Sequence, residues 1–266
     1  MDQSGPSEFF YPPSKTICTS AFSRFLTEYH ENLDSFLFVL RVVAKADETR
    51  LVASKALLPL ARTDAEREKY QKSIDNEDMI LNQLKKHSRV QSQNLTNGAV
   101  NAFQRFFSSL VQSVALKRPE TIASSAQVRI EEVVKFRSRK QLIEFLVDKK
   151  VNELAYGGLQ DMERFFVERL GVAMFDNEIE RSLLRLFIEA RNINVHNGGL
   201  VNSVFVSRVG NVDGFSYSLG KRFHVNFENL TRLSENAMRV AMRLDREVAA
   251  KIRMQTKSHS TWTKKK

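Results

Sequence analysis

Apolar residues recurring at spacings of three and four leave this chain few ways to fold other than as packed helices. Phe22, Phe25, Leu26, Tyr29, Leu33, Phe36, Leu37 and Leu40 trace one apolar face of a long helix, and Val100, Phe103, Phe106, Phe107, Leu110, Val111 and Val114 trace another. No succession of alternating segments supplies a central sheet, so the simplest architecture is an all-α helical bundle. At 266 residues the chain can bury a sizeable core without staples. Its lone Cys18 permits no internal disulfide, which fits a reducing, cytoplasmic setting, and Cys18 itself reads as incidental.

Local signals set the boundaries. Residues 1–14, with Pro6, Pro12 and Pro13, read as a flexible lead-in. Pro59 interrupts the chain before Thr63-x-x-Glu66, a capping box that opens a charged, solvated helix reaching His87. Asn97-Gly98 marks a break or kink, residues 128–136 form a short helix, and Ser138-x-x-Gln141 opens a longer one that Gly157-Gly158 stops. A helix from 159 to 170 ends at Gly171, and Asp176 or Asn177 caps the next, which stops in Asn197-Gly198-Gly199. Between 200 and 225, Val204, Phe205, Val206 and Val209, then Asn211 to Gly214, then Phe215 and Tyr217, predict a short extended or hairpin excursion. A last helix covers about 227–252. The expected organisation is one helical domain over 15–254 and a basic flexible tail over 255–266.

Charge points to polyanions. Forty-one Lys and Arg face 31 Asp and Glu, a formal +10, and from Arg232 to Lys266 ten basic residues face three acidic ones. Arg232, Arg239, Arg243, Arg246 and Arg253 fall within about 80° on an ideal helix. Such a stripe suits an RNA backbone; a solvated face partly paired with Asp245 and Glu247 is the plainer alternative. Trp262 beside Lys264 to Lys266 adds a stacking group to a basic end, although a tail with no fixed role is the simpler reading. An acidic membrane surface is the second polyanion class. No membrane-spanning segment is expected, because the apolar run Phe36 to Leu40 stops at Arg41, far short of the ~20 residues a span needs. The first twenty residues lack the basic start and apolar stretch of an export signal.

Chemistry concentrates in Arg191-Asn192-Ile193-Asn194-Val195-His196, followed by Asn197-Gly198-Gly199. A fixed guanidinium and an imidazole at one helix end suit work on a phosphodiester: the first neutralises developing charge and the second moves a proton near neutral pH. The other histidines, 30, 87, 224 and 259, have no metal-ligand spacing. Walker, Rossmann and Gly-x-Ser-x-Gly motifs are missing, so no metal and no cofactor is expected. On a helical wheel Leu183, Leu186, Phe187, Ala190 and Ile193 share the core face, while Glu189, Asn192 and His196 fall opposite. Arg191 lies about 140° from His196, which favours a composite site across a two-fold dimer. Glu189 is expected to be solvated, and Asn192 to orient the imidazole or meet a phosphate. An Arg and a His at a helix C-terminus also serve simply as capping residues.

The stretch Glu189-Ala190-Arg191-Asn192-Ile193-Asn194-Val195-His196-Asn197-Gly198-Gly199, with the segment from Val133 to Gly171 before it, resembles the HEPN superfamily (higher eukaryote and prokaryote nucleotide-binding domains). The resemblance covers most of residues 20–250, and only its Arg-Asn-x3-His core is specific. It implies a HEPN-like bundle, homodimerisation and metal-independent endoribonuclease activity in phage defence, a toxin–antitoxin system or RNA processing. On that footing Arg191 and His196 are the catalytic pair, Asn192 is the polar residue beside the Arg, RNA is the substrate, and an antitoxin or companion defence protein is a partner. Some family toxins are silenced through a Tyr two residues after the His; here that residue is Gly198. Other members have lost catalysis, so the alternative expectation is an inactive module that binds nucleic acid or a partner protein.

Overall fold

The computed structural model describes residues 11–13, 15–122 and 130–263. Most of the expected lead-in, and Lys264 to Lys266, lie outside these residues. The first elements among the described residues are a two-residue strand β1 (Ile17–Cys18) and a 38-residue helix α1 (Ser20–Leu57). A short turn holding Pro59 leads to α2 (Asp64–Asp75), α3 (Met79–Lys86) and α4 (Ser88–Lys117). Then come α5 (Ile130–Val133), α6 (Arg139–Gly157), and α7 (Leu159–Arg164), which widens into a π-helical turn over Phe165–Leu170. The order closes with α8 (Glu178–Asn197), α9 (Ser203–Val209), α10 (Phe227–Ile252), β2 (Lys257–Ser258) and α11 (His259–Thr263).

Helix α4 is the axis of an all-α bundle, touching α1, α6, α8 and α10. Its predicted apolar face supplies the centre of the core: Val100, Phe107, Leu110, Val111 and Val114 are fully buried. Phe106 packs against Phe22 of α1 at 5.7 Å between ring centroids, and Phe107 meets Phe166 edge-on at 5.5 Å. Capping follows the sequence closely. Thr63 and Glu66 close the capping box, Ser138 caps α6, Asn177 caps α8, and Gly171 and Gly198 end their helices in the left-handed conformation.

Four expectations are corrected. Asn97-Gly98 does not break the helix: α4 runs through it, and a Cβ at Gly98 would come within 2.4 Å of the side-chain oxygen of Asn32 on α1. The charged segment 63–87 forms two helices, with residues 76–78 between α2 and α3. The excursion after Leu200 opens with a helix where an extended segment was expected, and residues 210–226 after it form no helix and no hairpin ladder. Asn202 Oδ1 accepts from Phe205 N and starts α9, burying Phe205 and Val209, four apart, on one side. The β-branched residues 204, 206 and 209 mimic a strand, but that burial follows helical spacing. A single antiparallel bridge, Leu200 with Arg222, closes the loop over Phe205, Tyr217 and Phe223, whose rings pack pairwise at 5.2–5.8 Å.

The fourth correction concerns the tail. Its described residues are docked, since β2 pairs antiparallel with β1 (Ile17 with Ser258, Cys18 with Lys257). His259 N donates to Thr16 O at 2.9 Å, and Trp262 Nε1 donates to Cys18 O at 3.0 Å. Both ends of the described chain thus meet on one side of the bundle.

Candidate functional site

Helix α8 carries the motif into a cavity of about 460 Å³. The core face is as predicted, with Leu183, Leu186, Phe187, Ala190 and Ile193 buried. Because the helix ends in Gly198, with Gly198 N donating to Ile193 O, the last turn is held while His196 stays exposed. Arg191 and His196 line the same cavity within one chain despite their angular separation on the wheel. Asn192, Asn197, Gln104 and Arg208 also line it, above an apolar floor that includes Met162 and Phe205.

Arg191 is braced by neutral groups. Its Nε donates to Asn101 Oδ1 at 3.0 Å and its Nη1 to Asn192 Oδ1 at 3.2 Å. Amide oxygens fix the direction of a guanidinium without cancelling its charge, as a carboxylate does. Its charge therefore stays available to an anion entering the cavity. Two expectations for its neighbours are corrected. Of the two roles expected for Asn192, the one toward the His196 ring is not seen: its Oδ1 accepts from Arg191 and its Nδ2 donates to Glu189 Oε2 at 3.3 Å. Glu189 is not solvated: it is 8% exposed, and its Oε1 accepts from Arg208 Nη1 at 3.1 Å. Among the described residues, none hydrogen-bonds the His196 ring.

Sequence reasoning missed Asn101, Arg208 and the amides that tie α4 to α8. Gln93 Nε2 donates to Asn194 Oδ1 at 3.2 Å, and Asn194 Nδ2 donates to Asn97 Oδ1 at 3.5 Å. Gln93, Asn97, Asn101 and Gln104 stand at spacings of four, four and three. That polar row beside the phenylalanine face was the available signal.

The basic stripe of α10 divides. Arg243 is not presented to a partner: its Nη1 and Nη2 donate to Glu180 Oε1 at 3.1 Å and Oε2 at 2.6 Å, Nη2 also donates to Met174 O, and Asp176 pairs with it. The Arg243 hydrogen bonds, the largest influence, hold the Glu180 carboxyl below its ordinary value, and Glu180 in turn raises Arg243. Arg239 bonds Glu235 through Nε and Nη2 at 2.9 and 2.6 Å. Arg232 donates to Asp213 O and lies 5.5 Å from the centroid of Phe215. Arg246 and Arg253 are exposed, Arg253 in the left-handed conformation just past the helix.

Asp245 is buried rather than paired with the stripe, accepting from Thr19 N at 2.9 Å and from the Thr19 hydroxyl. Burial raises its carboxyl despite those two bonds. Burial, with Asp245 nearby, pushes the Cys18 thiol up to about 12, so Cys18 stays protonated and inert.

Fold and cavity together define an all-α helical bundle with a cationic, amide-braced cavity at the end of a core helix. Comparison with family models, curated proteins and solved structures finds no match to this chain. Among the described residues no helix is long and apolar enough to cross a membrane, and no three His, Cys, Asp or Glu side chains are grouped as metal ligands.

Proposed function

We propose that this chain is a HEPN-type, metal-independent endoribonuclease whose working pair is Arg191 and His196. The observation that carries the reading is an Arg held by two neutral amides, Asn101 and Asn192, in the cavity that His196 also lines. In the proposed reaction an RNA 2′-hydroxyl attacks the adjacent phosphorus and its 5′-oxygen leaves. His196 moves the proton, a role worth typically ~10²- to 10⁴-fold. Arg191 meets the charge that builds on the pentacoordinate phosphorus, where forked, charge-assisted bonds are strongest. Asn192 acts by holding Arg191. The products carry 2′,3′-cyclic phosphate and 5′-hydroxyl ends, and DNA, lacking the nucleophile, is spared. On the same reading the chain works as a homodimer with an antitoxin or companion protein, in phage defence, a toxin–antitoxin system or RNA processing.

End-labelled RNA and matched DNA, incubated with the protein in EDTA beside His196→Ala and Arg191→Ala, test this directly. RNA-only cleavage lost in both variants is the expected result; cleavage that EDTA abolishes counts against it. One observation favours a second reading, a module that binds RNA without cutting it: His196 has no protein partner among the described residues to select its tautomer, which acid–base catalysis usually requires. That module predicts no cleavage by any of the three, with RNA binding kept in His196→Ala and weakened in Arg191→Ala.

A further inference from the structure

We propose that Arg208 is a second phosphate-binding cation of this cavity, set in position by the buried Glu189; the proposal deepens the RNA reading and rests on it. Arg208 stands on α9, outside the motif, yet lines the same cavity as Arg191 and His196. It is one end of a continuous chain of hydrogen bonds: Arg191 Nη1 to Asn192 Oδ1, Asn192 Nδ2 to Glu189 Oε2, and Arg208 Nη1 to Glu189 Oε1. A buried carboxylate needs such partners, and Glu189, its side chain 11% exposed, has one on each oxygen.

Satisfying Glu189 uses little of Arg208. A guanidinium carries five N–H donors in a planar fork; the one Arg208 bond to Glu189 takes a single nitrogen, and the side chain is 58% exposed. The chain of bonds holds two guanidinium groups and one carboxylate, and only Arg208 touches that carboxylate, so the chain keeps a net positive charge with a cation at each end. That arrangement suits two phosphates of one strand, the scissile one at Arg191 and a neighbour at Arg208. Glu189 touches no substrate in this scheme and is a positioning residue.

The test measures RNA affinity across a salt series in a His196→Ala background, which separates binding from cleavage, with cleavage by the parent protein followed in parallel. Arg208→Ala is expected to weaken RNA binding about tenfold and to lower the slope of log affinity against log salt by about 0.7, the share of one contact to a single strand. Arg208→Lys keeps the slope and recovers part of the affinity. Glu189→Gln discriminates by sign: if Glu189 acts only through its charge, removing it tightens binding to a polyanion, whereas losing its hold on Arg208 weakens binding about threefold. Because Arg208→Ala strands a buried carboxylate, the double variant Arg208→Ala with Glu189→Gln is included. Parent-like melting with weak RNA binding is the expected result there, and parent-like affinity and slope in it overturn the proposal. If the parent binds RNA in an Arg208-dependent way but never cleaves, the second cation stands and the ribonuclease reading falls. If the parent cleaves with Arg208 immaterial, the reverse holds, and a parent that neither binds nor cleaves removes both.

Discussion

Arg191 owes its value to the acceptors that surround it. Asn101 sits 90 residues away on α4, and its amide oxygen aims the guanidinium without discharging it. Replacing Asn101 with Asp keeps an oxygen in the same place but adds a charge that Arg191 would pair with. Asn101→Asp is therefore expected to lower RNA affinity and cleavage at least tenfold while leaving the thermal midpoint unchanged or slightly raised. Undiminished affinity and cleavage in a folded Asn101→Asp protein would show that the free charge of Arg191 has no part in function. The motif residues Arg191, Asn192 and His196 were readable because they sit within two helical turns of one another. Asn101 and Arg208 were not, because their relation to Arg191 exists only once α4, α8 and α9 are packed.

At the scale of elements, charge placed on a wheel does not distinguish a binding stripe from a structural brace. Arg243 belongs to the stripe by angle, yet it pins α10 to the start of α8 through Glu180, Asp176 and Met174 O. Arg243→Ala is expected to cost about 2–3 kcal/mol in urea unfolding, because it leaves a partly buried carboxylate without its partner. It should leave the salt slope of RNA binding unchanged, whereas Arg246→Ala should do the opposite if α10 contacts RNA; a stable Arg243→Ala protein with a shallower slope would reverse these roles.

A similar brace holds the outer layer. Beyond Leu33 the only buried residues of α1 are Asp47 and Ser54. Asp47 accepts from Ile80 N and Leu81 N at the start of α3, while Arg50 donates to Asn76 O and Glu77 O at the end of α2. Burial raises the Asp47 carboxyl, but those amide bonds and Arg50 outweigh it and leave it below its ordinary value. A depressed carboxyl stabilises above its unfolded value, about 4, and that contribution is lost as pH falls through the lower folded value. Hydrogen exchange should show α2 and α3 opening first below about pH 4, and in Asp47→Ala at neutral pH, with α4 and α10 still protected. Uniform exchange across all these helices would remove the brace from the account.

For the molecule as a whole, the telling feature is the seam between the segment around β1 and the segment from β2 to α11. Trp262 is the only tryptophan, and its indole nitrogen bonds Cys18 O beside the β1–β2 pair. Ser23 Oγ lies 2.8 Å from His259 Nδ1, and the His259 ring stands 6.5 Å from that of His30, which Tyr11 and Tyr29 also flank. Burial lowers His259; burial and then His259 lower His30, with Asp34 opposing. A histidine lowered on folding supports the folded arrangement above its unfolded value of about 6.5 and withdraws that support as pH falls below it. Trp262 emission is expected to shift toward that of a solvated indole between pH 7.5 and 5 while far-UV circular dichroism holds steady. Emission constant across that range would mean the seam does not sense these protons.

The sequence by itself did not determine α9 or the division of 63–87 into α2 and α3, but it determined the long helices α1, α4, α6, α8 and α10, several of their caps and the core face of α4 and α8. These depend on residues three or four apart and on single capping side chains, interactions that close within a turn or two. Thr63, Ser138, Asn177 and Gly198 act locally, and the structure finds each where local chemistry puts it. Tertiary structure alone decided that Glu189 and Asp245 are buried, that Arg243 is a brace, that Trp262 docks on Cys18, and that Arg208 joins Arg191 and His196 around one cavity. Each of those outcomes turns on whether a polar group finds a partner from a distant helix once water is excluded. That energy belongs to the pair and its burial together, and neither residue carries it alone.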